Sequence, residues 1–208
     1  MSHDPSIWRL CLVTDRGLSG GRALADVVGA AIAGGVTMVQ LREKEAETRA
    51  FLEHARALKD LLGPKNIPLI INDRVDVALA VDAEGVHVGQ TDMPVEMVRQ
   101  LVGPGKIIGL SITNEMQIRQ PDALAVDYLG IGPLYAQTTK GNASTPLGVA
   151  GFGKLRALTQ KPVMAIGGLK PDNSAGVLAA GANGLAVVSG IVSADDPQAA
   201  AQAFMKLF

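Results

Sequence analysis

The sequence predicts an α/β protein in which eight parallel strands, each followed by an outer helix, close into a single (β/α)8, or TIM, barrel over residues 1–208. Three observations carry that prediction. Eight short apolar runs recur along the chain, segments with a helical period lie between them, and no composition shift or linker divides the series. Strict strand–helix alternation implies a parallel sheet, and eight units suit its closure. An open doubly wound sheet is the rival architecture. Against a dinucleotide site in such a sheet, "TDRGLSGGRA" after the first run lacks the GxGxxG spacing.

The runs are "RLCLVT", "VTMVQL", "IPLIIN", "GVHVG", "KIIGLS", "VDYLGIG", "PVMAIGG" and "GLAVVSG". Most are apolar on both faces, as strands covered by helices on one side and a packed lumen on the other should be. "RALADVVGAAIAGG" supplies the first helix. "TRAFLEHARALKDLLG" supplies the second, its stripe of Phe51, Leu52, Ala55, Leu58, Leu61 and Leu62 ending at Gly63-Pro64. "DRVDVALAVDAEG", "PVEMVRQLVG", "NEMQIRQ", "GFGKLRALT", "NSAGVLAAGA" and "PQAAAQAFMKLF" complete the series. One connection stands apart. "GPLYAQTTKGNASTPLGVAG", residues 132–151, has little helical or strand pattern, and with Thr138-Thr139-Lys140 at its centre it reads as an active-site loop.

Composition narrows the function. Nineteen basic residues against twenty acidic ones leave a net charge of −1, which gives no bulk attraction to nucleic acid or an anionic membrane. Anion chemistry must therefore be local. No stretch reaches the length of a membrane span, and "MSHDPSIWRLCLVTDRG" lacks the basic leader of a targeting signal. The single cysteine, Cys11, allows no internal disulfide and sits in "LCLV" as a small core side chain. The expectation is a cytoplasmic enzyme or binding domain acting on small molecules; whether copies associate does not follow from the pattern.

In a barrel the functional groups gather at the carboxyl ends of the strands. "MVQLREK" is apolar until it places Gln40, Arg42 and Lys44 on alternate residues, one face of an extended segment. The third run ends in Asn72-Asp73, the fourth is followed by Asp92, and the fifth ends in Ser111. The sixth opens the Thr138-Thr139-Lys140 loop. "AIGG" and "VVSG" end the last two runs, where glycines let backbone N–H groups approach a phosphate. The alternative is that these glycines serve tight turns only. Asp73 and Asp92 lie just beyond neighbouring strands, so they can converge on one cation. Oxygen-only ligands favour Mg2+, which needs one or two carboxylates plus substrate phosphate. Taken singly, either Asp reads as a helix cap. Arg42, Lys44, Lys140 and Mg2+ together make so positive a mouth that a diphosphate suits it better than a monophosphate. Lys44 alone also reads as a solvated end paired with Glu43 or Glu45. His54 and His87 read as structural, and His3 as part of a loose terminus.

Taken in order, "LVTDR", "QLREK", "INDR", "GVHVGQTD", "GPLYAQTTK", "AIGG" and "VVSG" resemble the thiamine phosphate synthases over almost the whole chain. The resemblance implies a compact (β/α)8 barrel. It implies a transferase that condenses 4-amino-2-methyl-5-(diphosphomethyl)pyrimidine with 4-methyl-5-(2-phosphoethyl)thiazole, or its carboxylated form, to thiamine phosphate and diphosphate. It would place the pyrimidine diphosphate against Gln40, Arg42, Lys44, Asn72, Ser111 and Lys140, and Mg2+ on Asp73 and Asp92. The thiazole phosphate would lie against Gln137, Thr138, Thr139, Gly168, Val188 and Ser189. Arg42, Ser111 and Lys140 would carry the catalytic work in a dissociative displacement that needs leaving-group stabilisation more than a base. One departure from the family pattern is clear: Ala136-Gln137 stands where Pro-Thr is usual, which bears on the thiazole phosphate contacts. A thiazole tautomerase-like isomerase uses a similar barrel but needs no diphosphate-binding cation. A non-catalytic phosphate-ligand barrel is the other rival.

Overall fold

The computed structural model describes residues 4–136 and 145–208. Its strands are β1 Leu10–Val13, β2 Met38–Leu41, β3 Leu69–Asn72, β4 Gly85–Val88, β5 Ile107–Ile112, β6 Tyr128–Ile131, β7 Val163–Ile166 and β8 Gly184–Val187. They pair in parallel in chain order, and β8 returns to β1 with Cys11 opposite Ala186. The barrel is closed, which removes the open-sheet rival. Seven strands fall inside the apolar runs that predict them, and β5 extends one residue beyond its run, to Ile112.

Side-chain alternation sorts each strand into two environments. In β2, Val39 and Leu41 point outward into the large core between barrel and helices, while Met38 points into the lumen. The lumen floor is packed by Trp8, Cys11, Val13, Met38, Ile70, Ile107, Tyr128, Met164 and Ala186. Trp8 comes from a short 3-10 turn, Pro5–Trp8, which precedes β1 and is absent from the sequence expectation. Its backbone passes so close to β8 that a Cβ on Gly184 would overlap the Trp8 carbonyl. The chain thus plugs the amino-terminal end of the barrel and leaves the other end open.

The helices are α1 Leu24–Ala33, α2 Thr48–Leu62, α3 Val75–Ala80, α4 Val95–Val102, α5 Glu115–Ile118, α6 Pro121–Ala125, α7 Gly148–Arg156, α8 Pro171–Ala179, α9 Ser189–Val192 and α10 Pro197–Met205. The stripe on α2 faces the barrel as expected, with Phe51, Ala55, Leu58 and Leu62 buried. Its end differs. Gly63 keeps helical angles and a 3-10 turn runs on to Lys65; the reversal comes at Asn66, at φ 54°. Gly63 has no Cβ to meet the Pro64 ring, so the helix can tighten rather than stop. The segment "NEMQIRQPDALA" forms two short helices because Pro121 opens a new one. Similarly, α7 begins at Gly148, three residues before the predicted start, and α9 is a one-turn helix that no apolar period announces.

Candidate active site

The open end of the barrel holds a cavity of about 1130 Å3 including its mouth. Gln40 and Asn72 line it from the ends of β2 and β3, His87 and Ser111 from β4 and β5, and Val188 from just beyond β8. Below them Cys11, Tyr128, Met164 and Ala186 form an apolar floor. Burial pushes the Cys11 thiol up to about 12, in keeping with a core side chain.

Arg42 follows the last residue of β2 and lines the same cavity. Its backbone N–H donates to Thr14 Oγ1 at 3.0 Å, and its guanidinium donates to Asp15 Oδ2 at 3.3 Å. Thr14 and Asp15, just beyond β1, therefore fix both the start and the tip of the Arg42 side chain. The strict alternation expected of "MVQLREK" does not persist: β2 ends at Leu41, and Lys44 is exposed at the rim, where its charge acts on Asp73. Glu43 is not the partner of Lys44. It turns inward behind the site, with its carboxylate 2.9 Å from Arg16 Nε and 3.7 Å from His54 Nδ1.

Asp73 sits at φ 63°, a left-handed conformation that Asp and Asn adopt more readily than most residues. Its N–H donates to the His87 carbonyl at 2.8 Å, and this bond aims the turn after β3 at the end of β4. There Asp92, whose Oδ2 accepts from the Gly89 N–H at 2.7 Å, meets the Asp73 carboxyl. Burial pushes the Asp73 carboxyl up to about 6, and the charge and hydrogen bond of Asp92 push the same way; Lys44 and Asn72 oppose them. Two carboxylates this close resist ionising together: below about pH 6 Asp73 keeps its proton, and above it the pair repels unless a cation lies between them. Among the described residues no group of three or more His, Cys, Asp and Glu side chains comes together. A cation here would take at most this pair of carboxylates from those side chains.

The β7 and β8 ends form a second, neighbouring rim. Gly167 and Gly168 have φ of 109° and 64°. A Cβ on Gly168 would lie 2.8 Å from Tyr135 Cβ and 2.9 Å from the Ala136 oxygen, because the chain after β6 is drawn in by the bonds Leu134 N–H to Ile166 O and Tyr135 N–H to Gly167 O, both 3.0 Å. The tight-turn requirement is thus met in full at this glycine, and a phosphate contact would come in addition to it. A Cβ on Gly190 would lie 3.1 Å from the Leu169 oxygen, so the turn bearing Val188 and Ser189 packs beside the β7 turn. Ser189 is exposed at the start of α9.

The structure therefore brings Gln40, Arg42, Asn72, Ser111 and Val188 around one cavity, joins Asp73 to Asp92 with Lys44 near them, and sets Gly168 and Ser189 on adjacent turns. Gln137, Thr138, Thr139 and Lys140 lie outside the described residues. Asp15, His87 and Tyr128 are site residues that the sequence reading missed. His87, taken there as structural, points into the lumen: Nδ1 is 2.8 Å from the Tyr128 hydroxyl and Nε2 is 2.9 Å from Ser111 Oγ. The available signal was glycine. Gly109 pairs in register with both His87 and Tyr128, and a Cβ there would overlap the two side chains.

Comparison with known proteins extends this geometry. A family model described as thiamine monophosphate synthase matches residues 10–191. A curated thiamine-phosphate synthase of Chloroflexus aurantiacus is 52% identical over 195 residues, which is 94% of this chain and 90% of that protein. One of Albidiferax ferrireducens is 52% identical over 203 residues, 97% of this chain and 93% of that protein. A solved structure of thiamine phosphate pyrophosphorylase from Pyrococcus furiosus superposes with a TM-score of 0.88 at 34% identity, covering 98% of this chain and 96% of that one. With a closed eightfold barrel, a paired carboxylate at its mouth and this extent of identity, the chain belongs to the thiamine monophosphate synthase family.

Proposed function

We propose that this chain condenses 4-amino-2-methyl-5-(diphosphomethyl)pyrimidine with 4-methyl-5-(2-phosphoethyl)thiazole to form thiamine phosphate and diphosphate. The observation that carries the reading is the Asp73–Asp92 contact beside Arg42, at the mouth of a cavity lined by Gln40, Asn72 and Ser111. An anion with several charges suits that mouth, and a flat heteroaromatic ring suits the mixed polar and apolar cavity below it.

The carboxylate pair fits Mg2+, since it offers hard oxygen donors that repel each other unless a proton or cation lies between them. When bound, Mg2+ would neutralise the diphosphate oxygens and lower the cost of charge building up on the leaving group. Arg42 offers two N–H groups to the same oxygens, with its orientation held by Asp15. Lys44 adds a point charge from the rim, and Lys140 another from the 132–151 loop. The C–O bond to the methylene carbon breaks, its electron pair leaves with the diphosphate, and the thiazole nitrogen supplies the pair for the new C–N bond. With the carboxylated thiazole, CO2 leaves as well, and the ring carbon that bore it takes a proton from solvent. Gln40, Asn72 and Ser111 hold the pyrimidine in place during that exchange. Val13, Met164 and Ile166 line the cavity with apolar surface and restrict water beside the electron-poor carbon. The thiazole phosphate lies against Gly168, Val188 and Ser189, with Gln137, Thr138 and Thr139 as further binding residues. The reaction takes place in the cytoplasm, where Cys11 stays reduced.

The test is direct. Purified protein mixed with both substrates and millimolar Mg2+ yields a product of the mass of thiamine phosphate, and excess EDTA suppresses it. Absence of that product under all metal conditions would remove the assignment.

A further inference from the structure

The loop after β1 ends in "SGGR", residues 19–22, to which the reaction above assigns no role. Its glycines, Gly20 and Gly21, have φ of 62° and 80°, and the Arg22 N–H donates to the Ser19 carbonyl at 3.2 Å. Two successive left-handed residues make a tight turn that residues with a Cβ resist. From this turn the Arg22 guanidinium reaches a distant part of the chain. Its Nε donates to the Ser19 carbonyl at 2.9 Å, Nη2 to the Val192 carbonyl at 2.7 Å, and Nη1 to the carbonyls of Ala194 at 2.8 Å and Asp195 at 3.5 Å. The whole planar fork is thus engaged with backbone oxygen.

Val192 is the last residue of α9, and Ala194 lies two residues beyond it. A helix leaves its last carbonyls without partners inside the helix, and in a single turn they are a large share of the element. The N–H groups of Ile191 and Val192 donate to Val188 O at 3.1 and 2.9 Å, and that of Ser193 to Ser189 O at 3.1 Å. A segment this short has no stability of its own. Burial of Ile191 and Val192 holds one side of α9 to the core, and Arg22 holds its carboxyl end. Four residues set that end only about 6 Å from the turn at Val188 and Ser189, so a shift of one end moves the other. β1 pairs with both β2 and β8, so its loop lies between their ends. Thr14 and Asp15, at the start of the loop, hold Arg42 on the β2 side, and Arg22, at its end, holds the β8 side.

We propose that Arg22 is a positioning residue: by bonding the carbonyls of Val192 and Ala194 it fixes the Val188–Ser189 turn, and so sets the affinity for the thiazole phosphate. The inference rests on the thiazole phosphate reading above and deepens it. Arg22 acts through α9, so its loss should be felt by one substrate. A misplacement of about 1 Å costs up to about 10^2-fold, so without the clamp the thiazole phosphate KM should rise by about 10- to 100-fold. Arg42 is held from the other end of the loop, and the pyrimidine diphosphate KM should stay within about 2-fold.

The test compares Arg22→Ala with Arg156→Ala in the full-length protein. Arg156 makes the same kind of clamp elsewhere, with Nε on the Gly181 carbonyl at 2.7 Å and Nη1 on that of Thr159 at 2.6 Å, so it controls for stability lost with such bonds. In the first arm, amide hydrogen exchange is followed by mass spectrometry with no substrate present. Residues 189–194 should be protected in the wild type, exchange about 10-fold faster or more in Arg22→Ala, and be unchanged in Arg156→Ala. In the second arm both KM values are measured, with the one-sided rise expected in Arg22→Ala and in neither substrate for Arg156→Ala. Arg22→Lys keeps the charge but not the fork, and shows the same one-sided change if Arg22→Ala does not fold. Rapid exchange of 189–194 in the wild type, or unchanged exchange in a folded Arg22 variant, would overturn the proposal. So would an unchanged thiazole phosphate KM, a rise shared by both substrates, or an equal rise in Arg156→Ala. The wild-type exchange needs no variant to fold. A wild type that makes no thiamine phosphate would instead defeat the proposed function and leave the exchange arm to decide whether Arg22 holds the turn.

Discussion

Replacing Asp73 by Asn separates what the carboxylate pair does for the metal from what it costs the fold. The substitution keeps the shape of the side chain, and Asn accepts the left-handed backbone at φ 63° at least as well as Asp, so no strain is added. What changes is charge. The Asp73 carboxyl is raised from 3.8 to about 6 by burial and by Asp92. At about 1.4 kcal/mol per pH unit the ceiling is about 3 kcal/mol, and partial solvent contact reduces it to about 1–2 kcal/mol. A carboxyl whose folded value is raised contributes its full stability below the unfolded value near 3.9, and loses it as pH rises through about 6. Without metal, Asp73→Asn should therefore unfold at higher urea than the wild type above pH 6, and the gap should close between pH 6 and pH 4. Millimolar Mg2+ should reverse the order, because a ligand at 100 times its Kd adds about 2.7 kcal/mol to the protein that binds it. Turnover in the variant should fall by about 10^2-fold or more, in line with loss of a charge that stabilises the leaving group. Urea titrations in EDTA and in Mg2+ at four pH values measure the stabilities, and a steady-state assay measures the turnover. A variant no more stable than the wild type at pH 8 in EDTA would refute the repulsion argument. An equal Mg2+ shift in both proteins would refute the metal assignment.

Arg42→Lys keeps the charge but loses the planar fork that Asp15 orients, and kcat should fall by roughly 10^2-fold in steady-state assays while the fold survives. Gly109→Ala pushes a methyl into the His87 and Tyr128 rings, which should cost about 1–3 kcal/mol in urea unfolding and weaken the pyrimidine KM. Gln137→Thr restores the usual family residue, so it should change the thiazole phosphate KM and leave the pyrimidine KM alone.

The barrel was legible because its evidence is local: each apolar run is a strand, and each strand needs only its own residues to be recognised. The residues at strand ends were legible for the same reason, since Gln40, Arg42, Asp73, Asp92 and Ser111 interrupt or terminate apolar runs. His87 was not. A histidine inside "GVHVG" looks like a core residue, and its role depends on Gly109 and Tyr128, which the pairing register supplies and no single run contains. Asp15 escaped for a related reason: one Asp after a strand reads as a turn residue until Arg42 arrives beside it from the next strand. The short elements failed on length. A four-residue helix such as α9 completes barely one turn and cannot show a period.

The distribution of charge across the site also bears on how an electron-poor carbon survives in it. Formal charges sit at the rim, on Arg42, Lys44, Asp15 and the Asp73–Asp92 pair, while the floor of the lumen below is largely hydrocarbon. A methylene carbon that loses diphosphate is open to attack by any nucleophile nearby, and among the described residues the cavity wall carries the Cys11 thiol, the Ser111 and Tyr128 hydroxyls and the His87 imidazole. Cys11 is one, but burial pushes its thiol up to about 12, so at pH 7.5 only about 3 in 10^5 of the molecules carry the reactive thiolate. Ser111 and Tyr128 each meet the His87 ring, at 2.9 and 2.8 Å, so these three groups are engaged with one another. The mutual contacts of these polar groups and the burial that keeps Cys11 protonated thus act to the same end. They favour the thiazole nitrogen as nucleophile over the described groups of the cavity wall.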